Sequence, residues 1–272
     1  MSKLNEIPVG RETNNPYSTA RKLFFKRLKW DLRPEAFRSR GILKRCKNAH
    51  FGSKAVIVCN GPSLLKSDLT LLKGVYTFGL NKINLLFERD DFRPSSIVSV
   101  NAHVIEQNAD FFNETEIPLF FDYGARKHIK ARDNVAFLHS CNTLMFALDC
   151  SRSIHQGFTV TGAALQLAYH MGFRDVALIG CDHTFAVKGP ANMTVESGRV
   201  DESHFDPRYF SGGQKWQLPD LYGSEFFYSR ADNAYAAAGG RVVNATEGGK
   251  LEVFQRMSLA DWVAAPAPKA RF

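Results

Sequence analysis

KAVIVCNGPSLL, residues 54–65, is the stretch whose reading decides the fold. Ala55 to Cys59 form an unbroken apolar run of strand length, which suits a strand buried on both faces. The run stops at Asn60-Gly61-Pro62-Ser63, a polar turn, and the chain then resumes with leucines. A strand, a glycine turn and a helix start together make the usual nucleotide site of α/β proteins. The turn is neither GxGxxG nor GxxxxGK[ST], the two phosphate loops with a known mechanism, so what it holds is an open question. A phosphate or ribose of a nucleotide is the functional expectation, with Gly61 permitting close backbone approach and Pro62 stiffening the helix start. An ordinary βα turn is the alternative.

Outward from this stretch the same alternation repeats. Apolar strands are expected at 75–80, 96–100, 119–121, 135–138, 176–180 and 241–246. A short helix is expected at 67–72, one opened by Thr161-Gly162 and closed by Gly172, and one around 225–238. Strands alternating with helices of this length predict a Rossmann-like α/β fold, a mainly parallel sheet with helices on both faces. Four strands end at a small polar residue: Asn60, Asn81, Asn101 and Asp182. In an open parallel sheet those ends line one edge, where ligands bind. Asparagine offers donors and an acceptor for ribose, base or phosphate, although each one alone is also a common turn former. Thr161 and Gly162 add backbone N–H groups and a hydroxyl suited to an anion.

Composition bounds the function. The 272 residues are 44% hydrophobic and 23% charged, an ordinary globular balance, with no apolar run long enough to span a bilayer and no signal-peptide core. Cys46, Cys59, Cys141, Cys150 and Cys181 have no metal-ligand spacing and read as reduced thiols of a cytoplasmic protein. The net charge of +8 is unevenly placed: residues 1–54 hold fourteen Lys and Arg against four Asp and Glu, the remainder twenty-one against twenty-three. The basicity therefore belongs to an N-terminal arm. Within it, residues 20–32 can form a helix with Phe24, Leu28 and Leu32 on one side, flanked by Lys22, Lys26, Arg27 and Lys29. Such a helix suits an anionic membrane surface or, equally, packing on the body with a solvated basic face. Nucleic acid is not expected, because the basic-aromatic pattern does not recur. The chain divides into an arm (1–50), a nucleotide-binding transferase domain (51–255) and a tail (256–272).

After the strand ending at Gly180-Cys181-Asp182 comes a long segment, about 183–220, rich in Gly and Pro yet carrying Phe185, Phe205, Tyr209, Phe210 and Trp216 beside His183, Lys188, His204 and Arg208. Its aromatics argue for an ordered lid over donor and acceptor, or a packed irregular subdomain. His139, His155 and His170 fit structural or exposed positions better.

The Asn-Gly-Pro-Ser-Leu turn, Asn81, Asn101, the Thr-Gly helix start and the Gly-x-Asp strand end together resemble the bacterial sialyltransferases of glycosyltransferase family 42. That resemblance implies a metal-independent, inverting transfer from a CMP-activated nonulosonic acid. It implies nucleotide contacts from Asn60, Gly61, Pro62, Ser63, Asn81, Asn101, Thr161, Gly162 and Asp182. It also implies a general base on a lid histidine, here His204 in Glu202-Ser203-His204-Phe205. Histidine suits that role because its free base is populated near neutral pH. His183 is the rival; His183, Thr184, Arg208 and Tyr209 are candidate phosphate or acceptor contacts, Arg208 for its bidentate fork. A second resemblance rests on GPSL, FGLNK, HFDPRYF and NATEGGKLEVF, which look like the 6-hydroxymethylpterin diphosphokinase (MptE)-like family. It implies surface-glycan contexts in bacteria and, in the founders' chemistry, diphosphate transfer from ATP with Mg²⁺, for which Asp182, Asp201 and Asp206 are the candidate ligands. The expectation is a transferase of surface-glycan assembly with no resident cofactor or metal. It would use a CMP-sugar donor and a glycan or other hydroxyl acceptor, and sit in the cytoplasm, peripherally at the inner membrane face. A pterin-type diphosphokinase and a non-catalytic nucleotide-binding protein held at the membrane are the alternatives.

Overall fold

A computed structural model describes residues 15–141, 144–184, 189–198, 200–201, 203–210 and 212–269. Phe185, Lys188 and Glu202 of the expected lid, and the first fourteen residues of the arm, lie outside the described residues.

Eight strands form one parallel sheet. β1 (Lys54–Val58) lies at its centre, followed outward by β2 (Tyr76–Leu80), β3 (Ser96–Ser99), β4 (Leu119–Asp122) and β5 (Val135–Leu138). On the other side of β1 come β6 (Asp175–Ile179), β9 (Arg241–Asn244) and the short β10 (Gln255–Arg256). The direction of winding reverses between β1 and β6, whose register sets Val58 against Ile179 and Lys54 against Asp175. β7 (Thr194–Glu196) and β8 (Lys215–Gln217) make a small antiparallel ribbon apart from the sheet.

Burial on both faces explains the apolar runs. Val56 and Val58 join a core with Ile97, Phe121, Phe137 and Ile179, whereas Ala55 and Ile57 join one with Phe78, Val98, Phe120 and Leu178. The two faces alternate along each strand, and each fully buried Val, Leu or Ile contributes roughly 1.5–3 kcal/mol. The second face is covered by α5 (Val160–Met171) and α6 (Leu221–Ala237). α5 buries ten of its twelve residues, sandwiched between the sheet and α6, and ends at Gly172 with φ +100°, the left-handed turn expected of it. The first face carries the short helices α3 (Ala102–Gln107), α4 (Ala109–Glu114) and α7 (Leu259–Ala264). The helix expected at 67–72 is instead a pair of 3₁₀ turns, Pro62–Lys66 and Leu69–Leu72.

The described residues on either side of the sheet region are parts of this body. α1 (Pro16–Asp31) buries Trp30, and α2 (Pro34–Cys46) buries Ala36, Ser39 and Leu43. The Ser39 hydroxyl accepts from the Phe137 N–H in β5 at 2.9 Å, and the Leu43 carbonyl meets His170 Nε2 at 2.8 Å. The division drawn at residue 50 is thus not a packing boundary, because α2 covers β5. The described part of the tail, residues 256–269, is likewise docked. Fully buried Trp262 donates to Asp175 Oδ1 (2.8 Å), a carboxylate that Arg241 also clamps (2.9 and 3.0 Å). All five cysteines are free thiols. No described helix is long and apolar enough to cross a membrane.

Candidate functional site: a crevice with two cavities

The carboxyl ends of β1 and β6 meet where the winding reverses, the place where open α/β sheets bind ligands. The Gly61 N–H donates to the Gly180 carbonyl at 2.8 Å, and Gly180 takes φ +65° to present it. The Asp182 carboxylate then lies over the turn, accepting from Ser63 Oγ at 2.7 Å and from the Ser63 N–H at 3.3 Å. A Cβ on Gly61 would stand 1.9 Å from Asp182 Oδ2 and 2.7 Å from the Gly180 oxygen. So Asn-Gly-Pro-Ser holds Asp182. The donors expected to cradle a phosphate have an internal carboxylate at the start of the 3₁₀ turn, and the room at Gly61 is filled by that carboxylate. Asn60 is different: its Oδ1 is buried with no hydrogen-bond partner among the described residues, and its side chain lines a cavity of about 170 Å³.

Asn81 and Asn101 follow β2 and β3 along the same edge. Asn81 adopts φ +49°, a conformation asparagine tolerates better than most, and its Oδ1 accepts from Ser99 Oγ at 2.9 Å. Asn101 caps α3, accepting from the His103 and Val104 N–H groups. It lines a second, larger cavity of about 530 Å³, so the three asparagines divide between two spaces, with Asn81 in both. Thr161 lines the first cavity, with Oγ1 3.7 Å from Cys59 Sγ. The cap of α5 is Thr159, two residues before Thr161, where the helix was expected to open. Gly162 serves packing: a Cβ there would lie 2.9 Å from Phe227 and 3.1 Å from the Gly157 Cα. Backbone strain gathers here, since Asn81, Phe158 and His183 all have positive φ and all line the first cavity. Such outliers cluster at ligand sites.

The facing wall comes from the segment between β7 and β8. Its backbone is tied to the turn by the Phe205 N–H, which donates to the Asn60 carbonyl at 2.9 Å. Lys82, buried directly after Asn81, donates to the Tyr209 carbonyl (2.6 Å), Gln107 Oε1 (2.9 Å) and Gln214 Oε1 (3.1 Å). Burial lowers its pKa to about 8, against the opposing pull of Asp201. His204 lies flat on Tyr209, ring centroids 3.9 Å apart and planes 2° from parallel, with Phe210 edge-on at 5.4 Å. Its Nδ1 is 2.8 Å from Asp201 Oδ2. Burial pushes the Asp201 pKa up, but hydrogen bonds from His204, Ser203 N–H and Phe210 N–H outweigh it and hold the carboxyl below its ordinary value. An ionised Asp201 can only accept, so Nδ1 carries a proton, and in the neutral ring the lone pair is then on Nε2. His204 and Tyr209 line both cavities, and the larger one continues past Asp122, Gln156 and Trp216.

Asp201 is the site residue that was expected only as a metal ligand. The i, i+3 spacing Asp201-x-x-His204 was the available signal. The three carboxylates weighed for Mg²⁺ are each engaged internally: Asp182 by Ser63, Asp201 as above, and fully buried Asp206 by the Arg208 fork at 3.0 and 2.9 Å. Among the described residues no three metal-ligating side chains converge. Arg208, expected at a phosphate, turns its guanidinium to Asp206 and to Glu88 (2.9 Å). His183 and Thr184 line the first cavity, where His183 Nε2 meets Glu225 Oε1 at 2.9 Å. His139 and His170 are buried in the body, as expected of structural histidines, and His155 stacks on Phe227.

Residues 35–188, more than half of the chain, match the family model described as 6-hydroxymethylpterin diphosphokinase MptE-like, and the chain belongs to that family. No curated protein matches it. Among solved structures, it is similar to the MAf glycosyltransferase from Magnetospirillum magneticum AMB-1, with 18% identity and a TM-score of 0.51. That likeness covers 95% of this chain and 44% of the other, so the chain spans less than half of that protein, and it concerns the fold alone.

Proposed function

We propose that this MptE-like chain is an inverting glycosyltransferase that moves a nonulosonic acid from a CMP-activated donor to a hydroxyl acceptor in bacterial surface-glycan assembly. The observation that carries the reading is His204, fixed by Asp201 where the two cavities meet. In this reading the donor nucleotide occupies the first cavity, beside the Asn60 amide oxygen that has no partner among the described residues, and the acceptor the second. His204 Nε2 takes the acceptor hydroxyl proton, the oxygen attacks the anomeric carbon from the face opposite the leaving group, and CMP departs. Asp201 steadies the imidazolium that forms. Trp216, Gln156 and Asp122 offer an aromatic face and polar groups suited to sugar hydroxyls. A glycosyltransferase among the structures of similar fold supports a transferase of this general kind.

The family description favours a second reading, diphosphate transfer from ATP to a pterin alcohol. Mg²⁺ arriving with the nucleotide would then need Asp182 to release Ser63. Thermal shifts with CMP and ATP, each with and without Mg²⁺, separate the two, because a specific ligand stabilises the fold by mass action. Stabilisation by CMP without metal is expected; stabilisation by Mg·ATP alone would overturn the glycosyltransferase reading. His204→Ala should slow CMP release from CMP-N-acetylneuraminate by roughly 10²–10⁴-fold while nucleotide affinity holds. Unchanged turnover would remove His204 from the chemistry. Work at the inner face of the membrane is part of the proposal.

A further inference from the structure

α1 is attached to the body near its C-terminal end, through Arg27 and Trp30, and is apolar on the side facing away. Trp30 is buried against Tyr123 (ring centroids 5.4 Å), and Arg27 reaches Ser153 Oγ at 3.0 Å and the Arg152 carbonyl. At 100° per residue, the opposite side of the helix carries five apolar residues, Tyr17, Phe24, Phe25, Leu28 and Leu32, with the exposed Arg21 between Tyr17 and Phe24. All five are exposed, Phe24 by 60% and Leu32 by 71%. The same face of a helix packed on the body would be buried, so the packing alternative for this stripe does not hold. Exposed Lys22 and Lys29 flank the stripe along one side, whereas Lys26 turns to the body, its Nζ 5.7 Å from the Tyr123 ring centroid. An apolar stripe left to water, unbroken from Phe24 to Leu32, marks a docking surface. Its basic border selects the partner: an anionic bilayer, which takes such rings into the acyl boundary while its headgroups meet the lysines.

We propose that α1 lies in the plane of an anionic lipid surface through Tyr17, Phe24, Phe25, Leu28 and Leu32. The attachment also sets the orientation. Tyr123 follows directly on Asp122, which lines the larger cavity, so α1 is fixed beside the carboxyl ends of β4 and β5. Docking therefore holds the larger cavity next to the lipid surface and leaves α7, at the amino edge of the sheet, on the far side. This inference is independent of which group the crevice transfers.

The test is co-sedimentation of the full chain with phosphatidylglycerol-containing and pure phosphatidylcholine vesicles. Binding to the anionic vesicles only is expected, weakening as salt rises. Phe24→Ser with Leu28→Ser and Leu32→Ser should abolish sedimentation without changing the melting temperature, because these side chains touch water. Arg21→Gln with Lys22→Gln and Lys29→Gln should lower the partition coefficient on the order of a hundredfold, at about 1 kcal/mol per basic residue. Hydrogen exchange in the presence of vesicles should protect α1 and leave α7 unprotected. Undiminished binding by the serine variant, or equal binding to both vesicle types, would overturn the proposal. A wild type that ignores vesicles but dimerises, with a monomeric serine variant, would assign the stripe to a second copy of the chain and would likewise overturn it.

Discussion

The two walls of the crevice are built on opposite plans. The wall of β1, β6 and the start of α5 is closed on itself: Ser63 serves Asp182, Gly61 serves Gly180, and glycines stand where a methyl group would collide with carboxylate, carbonyl or ring. The wall between β7 and β8 contributes little to the sheet and is held to it by Lys82 and the Asn60 carbonyl. Yet it brings the ionised Asp201, His204 and Tyr209 to the junction of the cavities. In the proposed reading, position is the product of the first wall and reactivity of the second. The strand-end turn, which by position is the usual phosphate binder, is here a device for seating an aspartate.

If that division holds, the walls should fail differently. The largest effect is expected for Gly61→Ala, whose methyl group would overlap Asp182 and the Gly180 carbonyl. A loss above 4 kcal/mol, by roughly the measure of the most damaging core substitutions, should appear as insoluble protein or a collapsed melting temperature. Adding Asp182→Ala should recover part of it, and full additivity would place the clash elsewhere. Next comes Asp201→Asn, which should cut turnover by roughly 10²-fold or more through the wrong histidine tautomer while nucleotide binding and melting temperature change little. A mutant that melts early with normal turnover would make Asp201 a lid brace instead. Lys82 gives a smaller, pH-dependent effect. Its pKa is about 8 in the fold against 10.5 in an unfolded chain, so between these values the unfolded chain holds the extra proton and stability rises with pH. Relative to Lys82→Met, the wild type should gain at most roughly 3 kcal/mol in denaturant unfolding between pH 8 and 10.5; a flat difference would mean that Nζ is solvated. Smallest is Asn60→Ala. Its Oδ1 has no partner among the described residues, so the fold should keep its stability while nucleotide affinity by calorimetry drops by about 1 kcal/mol. Lost stability with unchanged affinity would move Asn60 from the ligand to the frame.

How far these walls were legible follows from what each depends on. Strands such as 55–59 and 176–180 are apolar on both faces because the sheet is covered twice, and local pattern alone carries that. The edge asparagines were visible for the same reason, as the residues at which apolar runs stop. What Gly61 excludes was hidden, since it depends on Asp182, more than a hundred residues away, arriving over the turn. Arg208 misled because its fork is matched by Asp206 two residues earlier, a local pairing that outcompetes a distant phosphate. The arm's charge was legible but its attachment was not: Ser39 and Leu43 meet partners in β5 and α5 that no periodicity in α2 announces.

The placing of β6 beside β1 also has a consequence in time. Lys54 pairs with Asp175, about 120 residues later in the chain. At roughly 5–20 residues per second of synthesis, the central strand waits on the order of ten seconds with one edge unpaired and its neighbours β2 to β5 already made. During that interval a fully apolar strand presents open N–H and C=O groups, the template for joining another chain. The nascent protein should therefore be most prone to aggregate before residue 179 has left the ribosome. Codons that slow translation between 138 and 175 would lengthen that exposure and lower the yield of soluble protein without altering a single residue.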